Sequence, residues 1–450
     1  GKETVQVLSE EIPNVIKSII FPKSMRWGGK NLRFARPIRW IVSIFNEKVV
    51  PFDLEKIKVS NITKGHRFLG SQHIELNSVD EYIEKLEENF VIVDQNKRME
   101  IIKYGSEKLA KEKGGSILAD EKLLEEVTNL VEYPTPILGN IKEEYLRLPK
   151  DVIITPMREQ LRFFPVVNDH NRLLPYFVTV RNGNKEYLDT VIKGNEKVLG
   201  ARLEDAKFFY YDDIKKPLES YVEKLKEIVF QEKLGTLYDK TFRVQKLATK
   251  IGDYLEVGEE TQKNISRSAF LSKADLATKM VNEFTELQGR MGMEYASHSG
   301  ENEIVSTAIY EQYLPKFAGD VLPTTTAGAI LSIADKIDTI AGSFAIGIQP
   351  TGSQDPYGLR RQALGVINII LEKRLKLSIN DIIEYSLYIY VENQGLVFDY
   401  NDVKNKIIEF FSGRIKNMLG DMGIRYDVID GVLSTGIDDI YDLKVRAEQI

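Results

Sequence analysis

The sequence predicts an α+β protein in which a mixed N-terminal part is followed by long helices. A chain of 450 residues exceeds the size of one hydrophobic core, so two to four domains are expected. Short β-rich runs and clustered prolines occupy the first 205 residues, and helical patterns dominate from about residue 206. We therefore predict a mixed region at 1–205, a helical domain at 206–376 and a second helical domain that begins at 377 and reaches 450.

The N-terminal region alternates β-rich runs with helical stretches. The runs RPIRWIVSIF, NFVIVD and LLPYFVTVRNG are rich in β-branched and aromatic residues, which favour strands. Six prolines fall between residues 134 and 175, where they would interrupt helices. Several strands joined by loops are therefore expected in this region.

Apolar residues recur every three or four positions in the later part of the chain, which is typical of helices with one buried face. This spacing predicts helices over 218–229, 325–342 and 402–420. Their apolar stripes include Leu218, Val222, Leu225 and Val229 in the first, and Val403, Ile407, Phe411, Ile415 and Met418 in the last. Ser378 precedes Asp381 by three residues, a helix-start signature that places a boundary near Leu377.

The two ends indicate a piece of a longer protein. Residue 1 is glycine, and the last ten residues, YDLKVRAEQI, have the pattern of a helix that continues. No stretch resembles a signal peptide, and no apolar run approaches the roughly 18 residues that span a bilayer. We predict a cytoplasmic protein without membrane contact.

Several classes of catalytic site are excluded by residue usage. The chain has no cysteine, so disulfides, zinc ribbons and thiol nucleophiles are impossible. It also lacks the glycine-rich phosphate loop, the dinucleotide fingerprint and the serine nucleophile turn. The four histidines are not grouped, so we expect isolated or internally satisfied side chains; they are His66, His73, His170 and His298.

The stretch FPKSMRWGGKNLRFARPIRW, residues 21–40, is called the basic segment below. It lies in a window from Ile12 to Asn46 with seven cations and no carboxylate, although the chain carries a net charge of −6. Its cations are Lys23, Arg26, Lys30, Arg33, Arg36 and Arg39, and it holds both tryptophans, Trp27 and Trp40. Lysine and arginine neutralise phosphates, and aromatic rings stack on bases, so nucleic-acid contact is one interpretation.

The other interpretation of the basic segment is a solvated face over a core strand, with Trp40 and Ile41 buried. A strand would alternate polar and apolar residues, but Arg36 falls on the apolar side. We therefore expect the segment to be partly loop.

The stretch PTGSQDPYGLRRQALGVINIILEK predicts a helix with Pro356 in its first turn and Asp355 or Ser353 as its cap. Arg360 and Arg361 fall in the first turns, where the helix dipole disfavours cations. An anion bound there would explain both arginines. The alternative is an internal salt bridge to Asp335 or Asp338.

Asp335 and Asp338 are three residues apart on a predicted helix and so share a face. Two carboxylates on one face can hold a divalent cation. The alternative is ion pairing with Lys336 or a nearby arginine.

Long strings of the sequence resemble the beta-subunit family of the bacterial heterotetrameric glycyl-tRNA synthetases. They run from about Phe21 to Ile370 and include FPKSMRW, RFARPIRW, GHRFLG, LPKDVIITPMREQLRFFPV, VFQEKLGTLYDK, LSIADKIDTIAGSFAIG and PTGSQDPYGLRRQALGVINII. The resemblance implies an α2β2 assembly in which the alpha subunit activates glycine with ATP and magnesium. The beta chain would supply tRNA-binding surface, with no cofactor, catalytic residue or metal ligand of its own.

The same resemblance implies a helical region related to HD domains, followed by the start of an anticodon-binding domain that includes 442–446. The sequence departs from the HD pattern, because no His-Asp pair precedes the helix of Asp335 and Asp338. We therefore predict no phosphohydrolase activity, although an HD-type phosphohydrolase and a scaffold for the alpha subunit stay as rival functions. From Lys376 onward eight basic residues face thirteen acidic ones, a poor phosphate-binding surface.

Overall fold

The computed structural model describes residues 1–352 and 354–449, and its contacts divide the chain into two compact units. Unit 1 is Gly1–Leu203 and unit 2 is Glu204–Ile450. The division falls inside a long helix, α6, which spans Leu188–Asp213. Small sheets with helices in unit 1 and a helical unit 2 confirm the predicted α+β class.

Unit 1 contains five further helices and ten strands. The helices are α1 Thr4–Ser18, α2 Tyr82–Glu88, α3 Gln95–Lys111, α4 Glu121–Leu130 and α5 Lys150–Thr155. The strands are β1 Ile41–Val42, β2 Ile44–Phe45, β3 Lys48–Val49, β4 Val59–Ser60, β5 Ile62–Thr63, β6 Ile74–Glu75, β7 Ser116–Ile117, β8 Pro134–Asn140, β9 Phe164–Val167 and β10 Leu173–Asn182.

An antiparallel sheet of four strands, in the order β7-β9-β10-β8, is the main sheet of unit 1. Its longest strand, β10, confirms the prediction from LLPYFVTVRNG. Helices α3 and α4 bury apolar residues such as Ile102 and Val127 together with Val178 of β10. This packing removes one face of the sheet from water, which is the main stabilising term for such a layer.

The predicted strand NFVIVD is wrong. Residues 91–94 are irregular, and Asp94 instead caps α3, where its carboxylate accepts hydrogen bonds from the N–H groups of Asn96 and Lys97. The apolar side chains of the run still reach the core, because Ile92 is buried. Burial therefore explains the composition of the run without a strand.

The remaining strands of unit 1 have two residues each. They pair as β1 with β4 in parallel, and as β2 with β3 and β5 with β6 in antiparallel. The run RPIRWIVSIF forms only β1 and β2, so residues 36–40 are irregular, as the interrupted alternation predicts.

Unit 2 contains eleven helices after α6 and one short hairpin in its described part. The helices are α7 Leu237–Tyr254, α8 Glu259–Leu271, α9 Lys279–Glu283, α10 Arg290–His298, α11 Glu303–Glu311, α12 Thr326–Ala345, α13 Leu359–Lys373, α14 Ile379–Gln394, α15 Tyr400–Asp421, α16 Tyr426–Leu433 and α17 Ile440–Gln449. The hairpin joins β11 Val229–Gln231 to β12 Gly235–Thr236.

The predicted helix over 218–229 is also wrong. Two 3-10 turns bury Leu218, Val222 and Leu225, after which the chain enters β11 and leaves Val229 67% exposed. Gly235, with φ +82°, permits the turn that pairs β11 with β12. The region 206–376 is thus helical except at this hairpin.

The helices predicted over 325–342 and 402–420 are confirmed as α12 and α15. The stripe on α15 buries Leu419 in addition to the predicted residues, and Met418 is only partly buried. Ser378 begins α14, since its hydroxyl accepts from the N–H of Asp381. One apolar core nevertheless includes residues of α12 and α13 before position 376 and of α14 and α15 after it, so a domain division there stays a prediction.

None of the helices in the described ranges is both long enough and apolar enough to cross a membrane.

Candidate nucleic-acid interface and a lysine-lined cavity

The basic segment is an irregular loop fixed to the core at a few points. Met25 and Phe34 pair as a single antiparallel bridge, and Gly28 and Gly29, both with positive φ, form the turn between them. Leu32 is buried in a small apolar cluster, against which the half-buried Trp27 packs. The loop therefore holds its backbone in place while most of its cations extend to the surface.

The six predicted phosphate ligands differ in their surroundings. Lys23, Arg26, Arg36 and Arg39 are exposed. Arg33 is also exposed, but it donates to the hydroxyl and carbonyl of Ser24 at 3.1 and 3.3 Å, which fixes its direction. Lys30 is half-buried and donates to the carbonyl of Glu55, so it supports the loop more than it faces solvent.

Ion pairs are missing from this surface. Across residues 1–352 and 354–449, no carboxylate pairs with any of the six side chains, which are Lys23, Arg26, Lys30, Arg33, Arg36 and Arg39. Cations that are not neutralised by a carboxylate repel one another and attract a polyanion.

The exposure of Trp40 contradicts the alternative interpretation of the basic segment as a face over a core strand. Trp40 is 37% exposed and Ile41 is half-buried, so a core strand with both residues buried is wrong. The ammonium of Lys64 lies 5.1 Å from the centre of the Trp40 ring. Phe68, 83% exposed beside Arg67, is a stacking candidate that the sequence reasoning missed, although the adjacent Arg-Phe pair was a visible signal.

Helix α13 begins at Leu359 and carries the second predicted anion site. The carboxylate of Asp355 accepts from the N–H groups of Leu359 and Arg360 at 2.7 and 3.0 Å, so it satisfies the start of the helix as predicted, although the residue at the cap position is Gly358. The alternative cap, Ser353, lies outside the described residues. Pro356 is not in the first turn as predicted, because Gly358, in a left-handed conformation, starts the helix after it.

Asp355 occupies the position at the start of α13 where the predicted anion would bind the backbone. Two of the free N–H groups of α13 already have an acceptor, so an anion would depend on the guanidinium groups. Arg361 lines a cavity, whereas Arg360 lies close enough to Arg414 to affect it electrostatically. Burial lowers the pKa of Arg414, and the charge of Arg360 lowers it further.

The predicted alternative, a salt bridge from Arg360 or Arg361 to Asp335 or Asp338, is not observed among the described residues. Asp338 instead pairs with Arg243 at 2.8 Å and with Lys240 at 2.9 Å. Asp335 lies 3.2 Å from the ammonium of Lys240 and 3.0 Å from that of Lys273. A nearby arginine as partner is thus confirmed, and Lys336 as partner is wrong.

Lys336 is fully used elsewhere. Its ammonium donates to the carbonyls of Gln312 and Leu314 and to the hydroxyl of Ser332. Burial lowers the pKa of Lys336 to about 7. Three oxygen acceptors match the three hydrogens of an ammonium group, so this lysine has a structural role.

The ammonium groups of Lys240 and Lys273 lie beside the carboxylate of Asp335, where a bound metal ion would have to be. Burial alone would raise the pKa of this carboxyl, but Lys240 and Lys273 outweigh that effect and hold the pKa below its ordinary value. Within the described residues, no three His, Asp or Glu side chains are arranged to hold a metal ion. Among the predicted isolated histidines, His66 is buried, and its ring nitrogen accepts from the N–H groups of Phe68 and Leu69.

Several of these cationic side chains line a cavity of about 550 Å³ in unit 2. Five cationic side chains and two carboxylates line it, an excess of three positive charges when all are ionised: Lys240, Lys273, Lys316, Lys336 and Arg361, with Asp335 and Glu286. Sequence reasoning found only Arg361 among these cations as a candidate. The four lysines follow one another at intervals of 20 to 43 positions in the chain, and only the folded structure brings them together.

Comparison with known proteins adds independent information. The family profile described as "Glycyl-tRNA synthetase beta subunit" matches residues 1–434. A protein named "Glycine--tRNA ligase beta subunit" from Clostridioides difficile is 56% identical over all 450 residues. Proteins with the same name from Desulforamulus reducens and Shouchella clausii are 48% and 45% identical over 99% of this chain.

The chain spans 64–65% of the length of these relatives. The profile match covers far more than half of the sequence, and it extends beyond the strings in which the resemblance was first visible. The chain belongs to the glycyl-tRNA synthetase beta-subunit family.

Proposed function

We propose that this chain works as part of the beta subunit of glycine–tRNA ligase. In this proposal it binds tRNA(Gly) and the alpha subunit within an α2β2 assembly and supports the ATP-dependent attachment of glycine to tRNA. Membership of the family supports the proposal. The observation that carries tRNA binding is the acid-free basic segment, whose exposed arginines have no carboxylate partner among the described residues.

Within the proposed assembly, chemistry and recognition are divided between subunits. Activation of glycine with ATP and magnesium takes place on alpha, in the cytoplasm, and this chain binds no cofactor. Arg26, Arg33, Arg36 and Arg39 contact tRNA phosphates, while Trp40 offers a partly exposed ring for stacking. Arg360 and Arg361 form a second point of contact with an anion.

The test is a titration of labelled tRNA(Gly) at several salt concentrations against the wild-type chain and Arg33→Glu/Arg36→Glu/Arg39→Glu. Each lost phosphate contact lowers the slope of log affinity against log salt by roughly 0.7–0.9, so we expect a decrease of about two to three. Affinity at low salt should fall by more than about tenfold. An unchanged affinity and slope would contradict the assignment.

A matched variant separates local contact from net charge. Lys246→Glu/Lys250→Glu/Lys376→Glu lowers the formal net charge from −6 to the same final value, because it also reverses three charges. These lysines are exposed in unit 2, outside the basic segment. We expect this control to keep most of the affinity for tRNA.

The scaffold rival is separated by repeating the titration with and without the alpha subunit. If the arginine variant binds tRNA normally but no longer binds alpha, the basic segment is a surface for alpha and not for RNA. The phosphohydrolase rival has less support, because family membership and the lysines beside Asp335 both oppose it.

A further inference from the structure

The cavity of unit 2 has cations with unused hydrogen-bond donors. Lys240 donates to the carbonyl of Asp335, the carboxylate of Asp338 and the hydroxyl of Thr339, so its three hydrogens have acceptors. Lys336 is satisfied by three oxygens, as described above. These two lysines form part of the cavity wall. They add positive charge to the cavity, but their hydrogen-bond donors are already used within the protein.

Lys273 and Arg361 differ from them. Lys273 is 4% exposed; its ammonium contacts one hydrogen-bond acceptor, Asp335, at 3.0 Å and lies 4.7 Å from the centre of the Tyr313 ring. No other acceptor for it lies among the described residues, and none in that part of the chain pairs with the guanidinium of Arg361. A buried ammonium with unused donors is costly unless a further acceptor completes its contacts.

The carboxylate of Asp335 favours the charged form of Lys273 against the effect of burial. Burial lowers the pKa of Lys273, and the nearby Asp335 opposes that change. The ion pair therefore favours the ammonium form of Lys273. It uses only part of the hydrogen-bonding capacity of that ammonium, so the remaining donors are available to a bound ligand. A phosphate group, with several acceptor oxygens and negative charge, matches both Lys273 and the guanidinium of Arg361.

The rest of the lining matches a nucleoside. The ring of Tyr357 offers a face against which a base can stack, and the amide of Gln288 can bond to a base edge. The Tyr313 ring already faces the ammonium of Lys273, and the amide nitrogen of Gln362 already donates to the carbonyl of Tyr357. The volume of about 550 Å³ lies within the range of roughly 300–1,000 Å³ that is common for small-molecule sites.

We propose that this cavity binds a nucleoside phosphate, with Lys273 and Arg361 contacting the phosphate and Tyr357 contacting the base. The source of the nucleotide is either a free mononucleotide or the end of an RNA strand, since both present the same chemistry. The proposal does not rest on tRNA binding by the basic segment, which lies in unit 1.

Calorimetric titration of the full chain with AMP, inorganic phosphate and adenosine tests the proposal. We expect saturable binding of AMP at millimolar concentration or below, weaker binding of phosphate, and weaker binding of adenosine. Arg361→Ala should weaken AMP binding by roughly tenfold, because it removes a charged hydrogen-bond donor. Lys273→Met should weaken it at least as much.

Two controls keep the result interpretable. Lys246→Ala removes an exposed lysine of α7 outside the cavity and should leave AMP binding unchanged. Arg361 is exposed, so Arg361→Ala should fold even if the buried change Lys273→Met does not. Competition with tRNA identifies the source: displacement of AMP points to an RNA end, and its absence points to a free nucleotide.

The proposal is overturned if AMP does not bind, if adenosine binds as well as AMP, or if Arg361→Ala binds AMP like the wild type. Each of these outcomes is independent of the tRNA titration. Loss of AMP binding in the cavity variants with normal tRNA affinity would support the cavity and leave the basic segment to its own test.

Discussion

Asp338 shows at the scale of one residue why a buried charge can be kept in a helical core. Its carboxylate, 1% exposed, pairs with both Arg243 and Lys240. Its backbone carbonyl accepts from the hydroxyl of Tyr390. Because each partner is itself buried, removal of the carboxylate would leave two cations without compensation.

We predict that Asp338→Ala lowers the free energy of unfolding by about 3–5 kcal/mol, the usual loss when one partner of a buried ion pair is removed. Urea denaturation measures it. Asp402→Ala, which breaks an exposed pair with Lys406 on α15, should change stability by less than about 1 kcal/mol. Equal effects of the two variants would show that Asp338 does not have this role.

At the scale of elements, α12 and α14 approach closely at one glycine. A Cβ atom added at Gly342 would lie 2.3 Å from the hydroxyl oxygen of Tyr390, far inside contact distance. That tyrosine is buried and fixed by its bond to Asp338 of α12, so it has little freedom to move away. Glycine at this position therefore sets the distance between the two helices.

We predict that Gly342→Ala lowers the free energy of unfolding by about 1–3 kcal/mol through overpacking. Gly413→Ala is the matched control, because Gly413 lies inside α15 with open space around it. Alanine should stabilise that helix by roughly 0.5–1 kcal/mol. The sign of the two changes, measured by thermal or urea unfolding, is the decisive observation, and two stabilising substitutions would contradict the close approach.

For the whole molecule, the dependence of stability on pH combines carboxyls whose pKa values move in opposite directions. Burial raises the pKa of Asp275 to about 6, although the N–H groups of Gly289 and Gly292 donate to it. Burial would also raise the pKa of Asp338, but Arg243 and Lys240 lower it below the ordinary value. Asp338 thus loses its stabilising effect only in acid below the ordinary aspartate pKa.

Asp275 acts in the opposite sense. Its folded-state pKa lies above the unfolded value, so protonation favours the folded state, and that advantage is lost as the pH rises through about 6. As the pH falls from 7 to about 4, the wild type should gain roughly 2 kcal/mol of stability relative to Asp275→Asn. Urea midpoints at several pH values measure the difference, and parallel profiles for the two proteins would contradict it.

Patterns of local origin could be predicted from the sequence. The apolar stripes of α12 and α15, the cap Ser378 and the hydrogen bond from the start of α13 to Asp355 depend on residues a few positions apart, and all of them are observed. The predictions of a strand at NFVIVD and of a helix over 218–229 were wrong. Burial selects the same apolar residues whether the backbone is helix, strand or loop.

The candidate sites divide in the same way. The basic segment is continuous in sequence, so its charge was visible before its shape, and its role in binding stays a prediction. The lysine-lined cavity was not visible, because Lys240 on α7 and Lys273 in the turn after α8 are distant in sequence and meet Asp335 only in the folded chain.

The apolar core shared by α12, α13, α14 and α15 also limits how this family can vary. A larger side chain on one of these helices must be compensated by a smaller one on another, because the interior is close-packed. Residues before and after position 376 should therefore change together between species. Chimaeras that join those two parts from distant relatives would combine side chains that do not fit together in this shared core.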